Sequence, residues 1–339
     1  MKFGPVPLDD AQGALLAHSI TTPNGKLRKG CQLTSQDLQD LRASGLDQVV
    51  VAQLGRGDLH EDAAALALAE QVAPDPAALG LRVVAAGAGR VNLYAQAPGV
   101  MQVDAVKIAA LNAVDPMVTI ATVPDCHRVD AGTMVATVKI ISYGVATTSI
   151  SVAGAAAVGA LLLRPSLLRS ATLIETLVPG QIRSDKGRAA MAGRLERMGA
   201  ALTPPVIVPH TETALAEALS ATLLVAEAEL VLILTGSATS DAMDVAPNAL
   251  RLAGGVVERF GMPVDPGNLL FLGHLGERPV IGLPGCARSP ALNGADWVLE
   301  RVLCGLRVTG ADIAAMGVGG LLKEIPTRPR PRRESDAER

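Results

Sequence analysis

An α/β fold is predicted for this 339-residue chain: a C-terminal three-layer α/β/α domain with a mainly parallel sheet, preceded by smaller α+β segments. Three observations carry the prediction. From Ala171 onward, strand-length apolar runs alternate with helical stretches, the β-α-β-α order that builds a parallel sheet covered on both faces. Glu229-Leu-Val-Leu-Ile-Leu234 is short and continuously apolar, as a central strand with helices above and below must be. The composition also supports a sizeable core, with 49% hydrophobic residues against 19% charged. Aromatic residues are only 2%, so that core is built from Ala, Val, Leu and Ile, and stacking platforms for single-stranded nucleic acid are nearly excluded. A formal net charge of -3 gives no basic footprint, and no nucleic-acid partner is expected.

Taken in order, residues 1–78 are expected to form a small α+β segment. Leu15-Leu-Ala-His-Ser-Ile20 and Gln48-Val-Val-Val-Ala52 read as strands, and Thr34 caps a helix through Leu38 and Leu41 that Gly45 stops. Asp58 to about Ala78 reads as an Ala-rich helix ending at Pro74 and Pro76. Residues 79–168 form an α+β middle domain in this reading, with turns at Gly87-Ala-Gly89, Pro98-Gly99, Asp115-Pro116 and Asp130-Ala-Gly132. No glycine follows Gly87-Ala-Gly89 three residues on, so a dinucleotide fingerprint fails. Adjacent Cys126 and His127 face opposite sides of a strand, which argues for a structural role over a shared metal. Ile140 to Leu163 is uncharged and long enough to span a bilayer, but its Ala, Gly, Ser and Thr content and strand-like start argue against insertion. No membrane association is expected. Cys31, Cys126, Cys286 and Cys304 lie far apart and no secretory signal opens the chain, so a cytoplasmic location is expected.

Residues 169–310 hold the predicted α/β domain, and 311–339 a largely disordered tail that is proline-broken and charged after Ile325. Ala171–Val178 is a strand, Gly180–Gly187 a loop with Arg183, Ser184, Asp185 and Lys186, and the next helix aligns Met191, Leu195 and Met198. Pro205–Pro209 and Ala214–Ala226 add a strand and a helix before the apolar run ending at Leu234. There Thr235, Gly236, Ser237, Ala238, Thr239 and Ser240 follow, small residues whose N–H and hydroxyl groups let a phosphate or oxyanion approach closely. Asp244 is placed to cap a helix that Gly254-Gly255 ends. A second loop of the same kind, Leu283-Pro284-Gly285, leaves another apolar strand, and Arg288-Ser289 are expected to open the next helix. Its stripe reads Leu292, Ala295, Leu299 and Val302.

These two loops resemble those of the molybdopterin-binding domain shared by molybdopterin adenylyltransferases, molybdopterin molybdenumtransferases and the fusion gephyrin. In that family a strand runs into a glycine-rich loop closed by an Asp, matched by Asp244, and a later strand ends in Leu-Pro-Gly, matched by Leu283-Pro284-Gly285. Asp185-Lys186-Gly187 matches an Asp-Lys-Gly of the adenylyltransferases, and Pro266-Gly267 resembles a turn of the molybdenumtransferases. Lys29 to Val51 is similar to the segment that precedes the domain in molybdenumtransferases, although here other material intervenes. The chain departs from the family where Gly236-Ser237 replaces a double glycine and where His210 stands for an Asp.

The resemblance implies molybdenum cofactor biosynthesis, with a transferase that inserts molybdate into adenylylated molybdopterin as the leading expectation. An ATP-dependent molybdopterin adenylyltransferase and a non-catalytic molybdopterin carrier are the alternatives. It further implies Asp244 and Asp185 in catalysis, and Asp244 with Asp241 toward Mg²⁺. Thr235, Gly236, Ser237, Thr239, Ser240, Lys186, Pro284, Gly285, Arg288 and Ser289 would hold the substrate. Partners are expected to be the pterin, a second copy of the chain, or other molybdenum cofactor enzymes.

Overall fold

The computed structural model describes residues 1–322. The described residues divide into two compact units: Met1–Ala97 with Met101–Arg164, and Pro98–Val100 with residues 165–322.

In the first unit, Lys2–Pro7, Gln48–Gln53 and Leu15–Leu16 form a three-stranded sheet. The helix Ser35–Ala43 begins at Thr34, whose hydroxyl accepts from the Asp37 N–H while Asp37 accepts from Thr34, a reciprocal cap. Leu38 and Leu41 bury against Val49 and Val51. A four-stranded antiparallel sheet follows the order Val118–Thr122, Met134–Ile140, Arg90–Ala95, Leu81–Ala85, and shares a core with the helix Glu61–Val72. The Ala-rich stretch starts later than expected, because Asp58–His60 pairs as a strand with Gly144–Ala146. The uncharged run from Ile140 breaks into that strand, the helix Thr147–Ala156 and the strand Leu161–Pro165. Among the described residues no helix is long and apolar enough to cross a membrane.

The second unit contains β1 (Ser170–Leu177), α1 (Lys186–Arg197), β2 (Ala201–Leu202), β3 (Val206–Pro209), α2 (Glu212–Thr222), β4 (Leu230–Leu234), α3 (Val245–Leu252), β5 (Val256–Phe260), β6 (Phe271–Leu275), β7 (Arg278–Gly282), α4 (Gly294–Leu303) and α5 (Gly310–Ala315). All seven strands form one sheet. Both β2 and β3 pair with β1, and β4, β7, β6 and β5 follow on its other side. Pairs involving β1, and the pair β4–β7, are parallel, while β7–β6 and β6–β5 are antiparallel.

Strand alternation explains the continuous apolar run of β4. Leu230, Leu232 and Leu234 pack with Met191 and Leu195 of α1, with Met198 at its C-cap, and with Val298 and Leu299 of α4. Val231 and Ile233 point the other way, onto Leu215 and Leu219 of α2 and Ala249 and Leu250 of α3. Helices thus cover both faces, giving the three-layer α/β/α arrangement with a mainly parallel sheet that the sequence predicts.

One boundary differs. Arg288 and Ser289 do not open α4: Gly285–Arg288 is a separate 3₁₀ turn, and α4 starts at Gly294 behind the cap residue Asn293. Leu292 lies outside the helix and is exposed. Pro290 and the Asn293–Asp296 capping box set the later start. At the C-terminal side, α5 is capped by Thr309 and buries Ile313, and the Leu322 N–H bonds the Asp265 carbonyl. Residues 311–322 of the expected tail therefore pack on this unit, and the charged stretch after Ile325 lies outside the described residues.

Candidate functional site

Parallel pairing puts the ends of β4 and β7 side by side, with Ile233 opposite Gly282. The Leu283 N–H donates to the Ile233 carbonyl at 2.8 Å, so the strands part only where the two loops begin. Both loops leave at the carboxyl ends of neighbouring parallel strands, the usual place for a ligand in an open α/β sheet. Arg288 ties them together, its guanidinium donating to the Thr235 carbonyl at 2.6 Å.

On the other side of β4, the pairing with β1 ends at Glu175 opposite Leu234. The Gly236 N–H donates to the Thr176 hydroxyl oxygen at 2.9 Å, and that hydroxyl also pairs with His210 Nδ1 at 2.8 Å. A Cβ on Gly236 would stand 2.6 Å from Gln181 Oε1 and 2.7 Å from the Thr176 carbonyl oxygen, so glycine is required for this loop to meet the one after β1. Likewise, a Cβ on Gly187 would lie 2.5 Å from Leu234 Cδ2, which places the first turn of α1 against the end of β4.

The loop after β7 is held from beneath. Arg194 of α1 is buried and pairs with Asp296 of α4. Its remaining N–H groups donate to the carbonyls of Ala287 (3.0 Å), Ser289 (2.8 Å) and Ala291 (2.9 Å). A buried guanidinium is tolerable when its donors are met this fully, and here they fix the chain on either side of Arg288.

Each residue singled out from the sequence has a definite place. Ser237, Ser240, Gly285 and Ser289 are exposed, and a Cβ built on Gly285 would meet nothing within 4 Å, so the surface beside it is open. Pro284 is buried under that surface. Thr235 and Thr239 are buried with their hydroxyls 3.3 Å apart, so they face one another. Lys186 is exposed at the first position of α1, and Asp185 beside it is exposed and paired with Arg183 at 2.9 Å. Asp244 caps α3: one carboxylate oxygen accepts from Val245 N–H at 2.7 Å and the other from Ser240 N–H at 3.0 Å. Asp241 accepts from Met243 N–H at 2.7 Å.

For a divalent cation the offer is modest. Among the described residues no three His, Cys, Asp or Glu side chains gather into a metal-holding group. What remains for Mg²⁺ is the spare lone pairs of Asp244 and the second oxygen of Asp241, the oxygen donors it prefers when substrate phosphates and water complete its shell.

Sequence reasoning missed the residue at the centre of this edge. Glu175 is only 7% exposed, and it accepts no hydrogen bond from the described residues. It lines a recess of about 30 Å³ with Thr176, Gln181, Arg183, Ser184 and Arg288. Burial pushes its carboxyl above the usual range, and Arg288, Arg183 and Arg188 pull it back. The signal was available: Glu175 shares a face with Ala171 and Leu173, where β1 is otherwise apolar.

Residues 170–303 match the family model described as a probable molybdopterin binding domain, the domain family that the two loops resemble. Residues 5–53 match a domain of unknown function, DUF8806. No curated protein matches the chain. Among solved structures, it is similar to the molybdopterin biosynthesis moea protein from Pyrococcus horikosii, at 13% identity and a TM-score of 0.33, over 90% of this chain and 75% of that one. It is also similar to Molybdenum cofactor biosynthesis protein B, at 14% identity and a TM-score of 0.30, over 41% of this chain and 96% of that one. The fold assignment rests on the sheet order and helix layers described above.

Proposed function

We propose that the chain binds molybdopterin across the loops after β4 and β7 and acts as a molybdopterin molybdenumtransferase, inserting molybdate into adenylylated molybdopterin. The observation that carries this reading is the Arg288 bridge to Thr235, which makes one continuous surface from two loops of a domain matched by the molybdopterin-binding family model.

On that surface the chain's own groups would bind and orient. Exposed Ser237, Ser240 and Ser289 offer hydroxyls, and Lys186 at the start of α1 offers a positive charge to a phosphate. Open space beside Gly285 leaves room for the ligand to lie close to the backbone. Asp241 and Asp244 would be the contacts of a Mg²⁺ that screens the phosphate charge. Rate acceleration would come chiefly from holding the dithiolene and molybdate together. Asp185, paired with Arg183 at the mouth, is the second acidic group of the proposal.

The adenylyltransferase reading is less favoured by one observation. His210, at the position where that resemblance places an Asp, is committed to the Thr176 hydroxyl. Incubating the purified protein with adenylylated molybdopterin and molybdate tests the proposal. Consumption of the adenylylated pterin with formation of the molybdenum cofactor supports it. Adenylylation of molybdopterin with ATP, or tight binding without turnover, would replace it with the adenylyltransferase or the carrier alternative respectively.

A further inference from the structure

We propose that Glu175 reads the amino-pyrimidine edge of the pterin, its two carboxylate oxygens accepting the adjacent 2-amino and ring N–H donors from within the recess at the end of β1. This rests on the molybdopterin reading above and narrows it to which part of the ligand is held where.

A buried carboxylate is costly unless something donates to it. Glu175 is more than nine-tenths buried, meets no donor among the described residues, and faces a recess that opens on the ligand edge of the sheet. Packing does not account for it, since the same face of β1 carries Ala171 and Leu173. The missing donor is therefore expected from a ligand.

Chemistry selects the kind of ligand. An oxyanion brings only acceptors and cannot donate to Glu175, so the phosphate is assigned to the exposed serine loop. A divalent cation is disfavoured because Arg183 and Arg288 line the same recess and Glu175 is its sole carboxylate. What remains is a neutral group with two parallel N–H donors, the fork that a carboxylate matches with both oxygens. The 2-amino-4-oxopyrimidine half of a pterin presents such a pair, with an adjoining carbonyl oxygen toward which Arg183 or Arg288 would donate. A recess of about 30 Å³ admits a group the size of a water molecule, hence the edge of the ring and not the bicycle.

The test is a fluorescence titration of the full chain and its Glu175→Gln variant with pterin and with lumazine, in which a carbonyl oxygen replaces the 2-amino group. Molybdopterin binding is measured in parallel. Wild type should prefer pterin over lumazine by about 10- to 100-fold, the discrimination typical of one bidentate pair. Glu175→Gln should erase that preference and weaken molybdopterin binding by a similar factor. A melting temperature in the variant no lower than that of wild type shows that the fold is intact, as expected when a buried carboxyl without hydrogen bonds becomes a neutral isosteric amide. Equal molybdopterin binding by the two proteins, or no preference between pterin and lumazine, overturns this inference and leaves the site itself standing. If wild type binds no molybdopterin, the functional reading falls and this one with it.

Discussion

Arg288 and Thr235 lie 53 positions apart in sequence and meet through a single guanidinium-to-carbonyl hydrogen bond of 2.6 Å. That bond joins loops from two strands whose ends would otherwise be tied only through the sheet. Arg288 also lines the recess that holds Glu175. Arg288→Ala is expected to lower stability by about 1–2 kcal/mol, in line with the loss of a charge-assisted hydrogen bond at a half-buried site. It should weaken molybdopterin binding more than tenfold. Urea denaturation and a binding titration measure the two effects separately, and an unaltered affinity would remove Arg288 from the site.

Beneath that loop, the buried pair Arg194–Asp296 is predicted to be the most sensitive point of the C-terminal unit. Removing one partner strands the other in the core, so Asp296→Ala should cost about 3–5 kcal/mol. Replacing both with apolar residues, Arg194→Met with Asp296→Leu, should recover only part of the loss. Three loop carbonyls, of Ala287, Ser289 and Ala291, would still lack their donor. Urea midpoints of the two variants decide this, and full recovery by the double substitution would show that the loop carbonyls do not depend on Arg194.

How far the sequence could be read follows from the range of the interactions involved. Local signals were legible: the Thr34 cap, the Asp244 cap, and the α1 stripe of Met191, Leu195 and Met198 all depend on residues within a few positions of each other. So was the central position of β4, whose uninterrupted apolar run requires cover on both faces. The start of α4 was misplaced although its signal was local, since Asn293 with Asp296 three positions on forms a capping box that Arg288-Ser289 lacks. Arg194 was not legible as a clamp, because its partner Asp296 is 102 positions away and a helix surface normally exposes arginine. Glu175 lay between the two cases. Its buried side follows from strand parity, but the absence of a hydrogen-bond donor is visible only once the neighbouring loops are in place.

Asp244 permits a separation of structural and chemical roles. Its carboxylate bonds the N–H groups of Val245 and Ser240, and losing a helix cap of this kind costs about 1 kcal/mol. Asp244→Ala, which loses both acceptors, should therefore lower the melting midpoint more than Asp244→Asn, which keeps one oxygen for the Val245 N–H and gives up only the bond from Ser240. If Asp244 also contacts the substrate phosphate or its cation, Asp244→Asn keeps molybdopterin binding and loses turnover, which is the expected result. Turnover by Asp244→Asn at the wild-type rate would reduce the residue to its cap.

Two glutamates associated with β1 should give opposite pH signatures. Near the start of the strand, Glu229 accepts from the N–H groups of Arg169 at 2.6 Å and Ser170 at 2.9 Å, and these bonds hold its carboxyl below the usual range. Its stabilisation is thus fully present above the ordinary carboxylate range and is lost as pH falls through the lowered value. Near the end of the strand, Glu175 is shifted upward by burial, so the folded state keeps its proton where the unfolded state has released it. Its contribution is greatest below the ordinary carboxylate range and declines as pH rises through that range to the raised value. At neutral pH, Glu229→Gln should consequently be less stable than wild type and Glu175→Gln more stable, and both differences should shrink in acid. Urea midpoints collected across the acidic range check the signs. A Glu175→Gln variant that is less stable than wild type at neutral pH would mean that the carboxylate has a donor in the free protein, and that the recess is not waiting for one from a ligand.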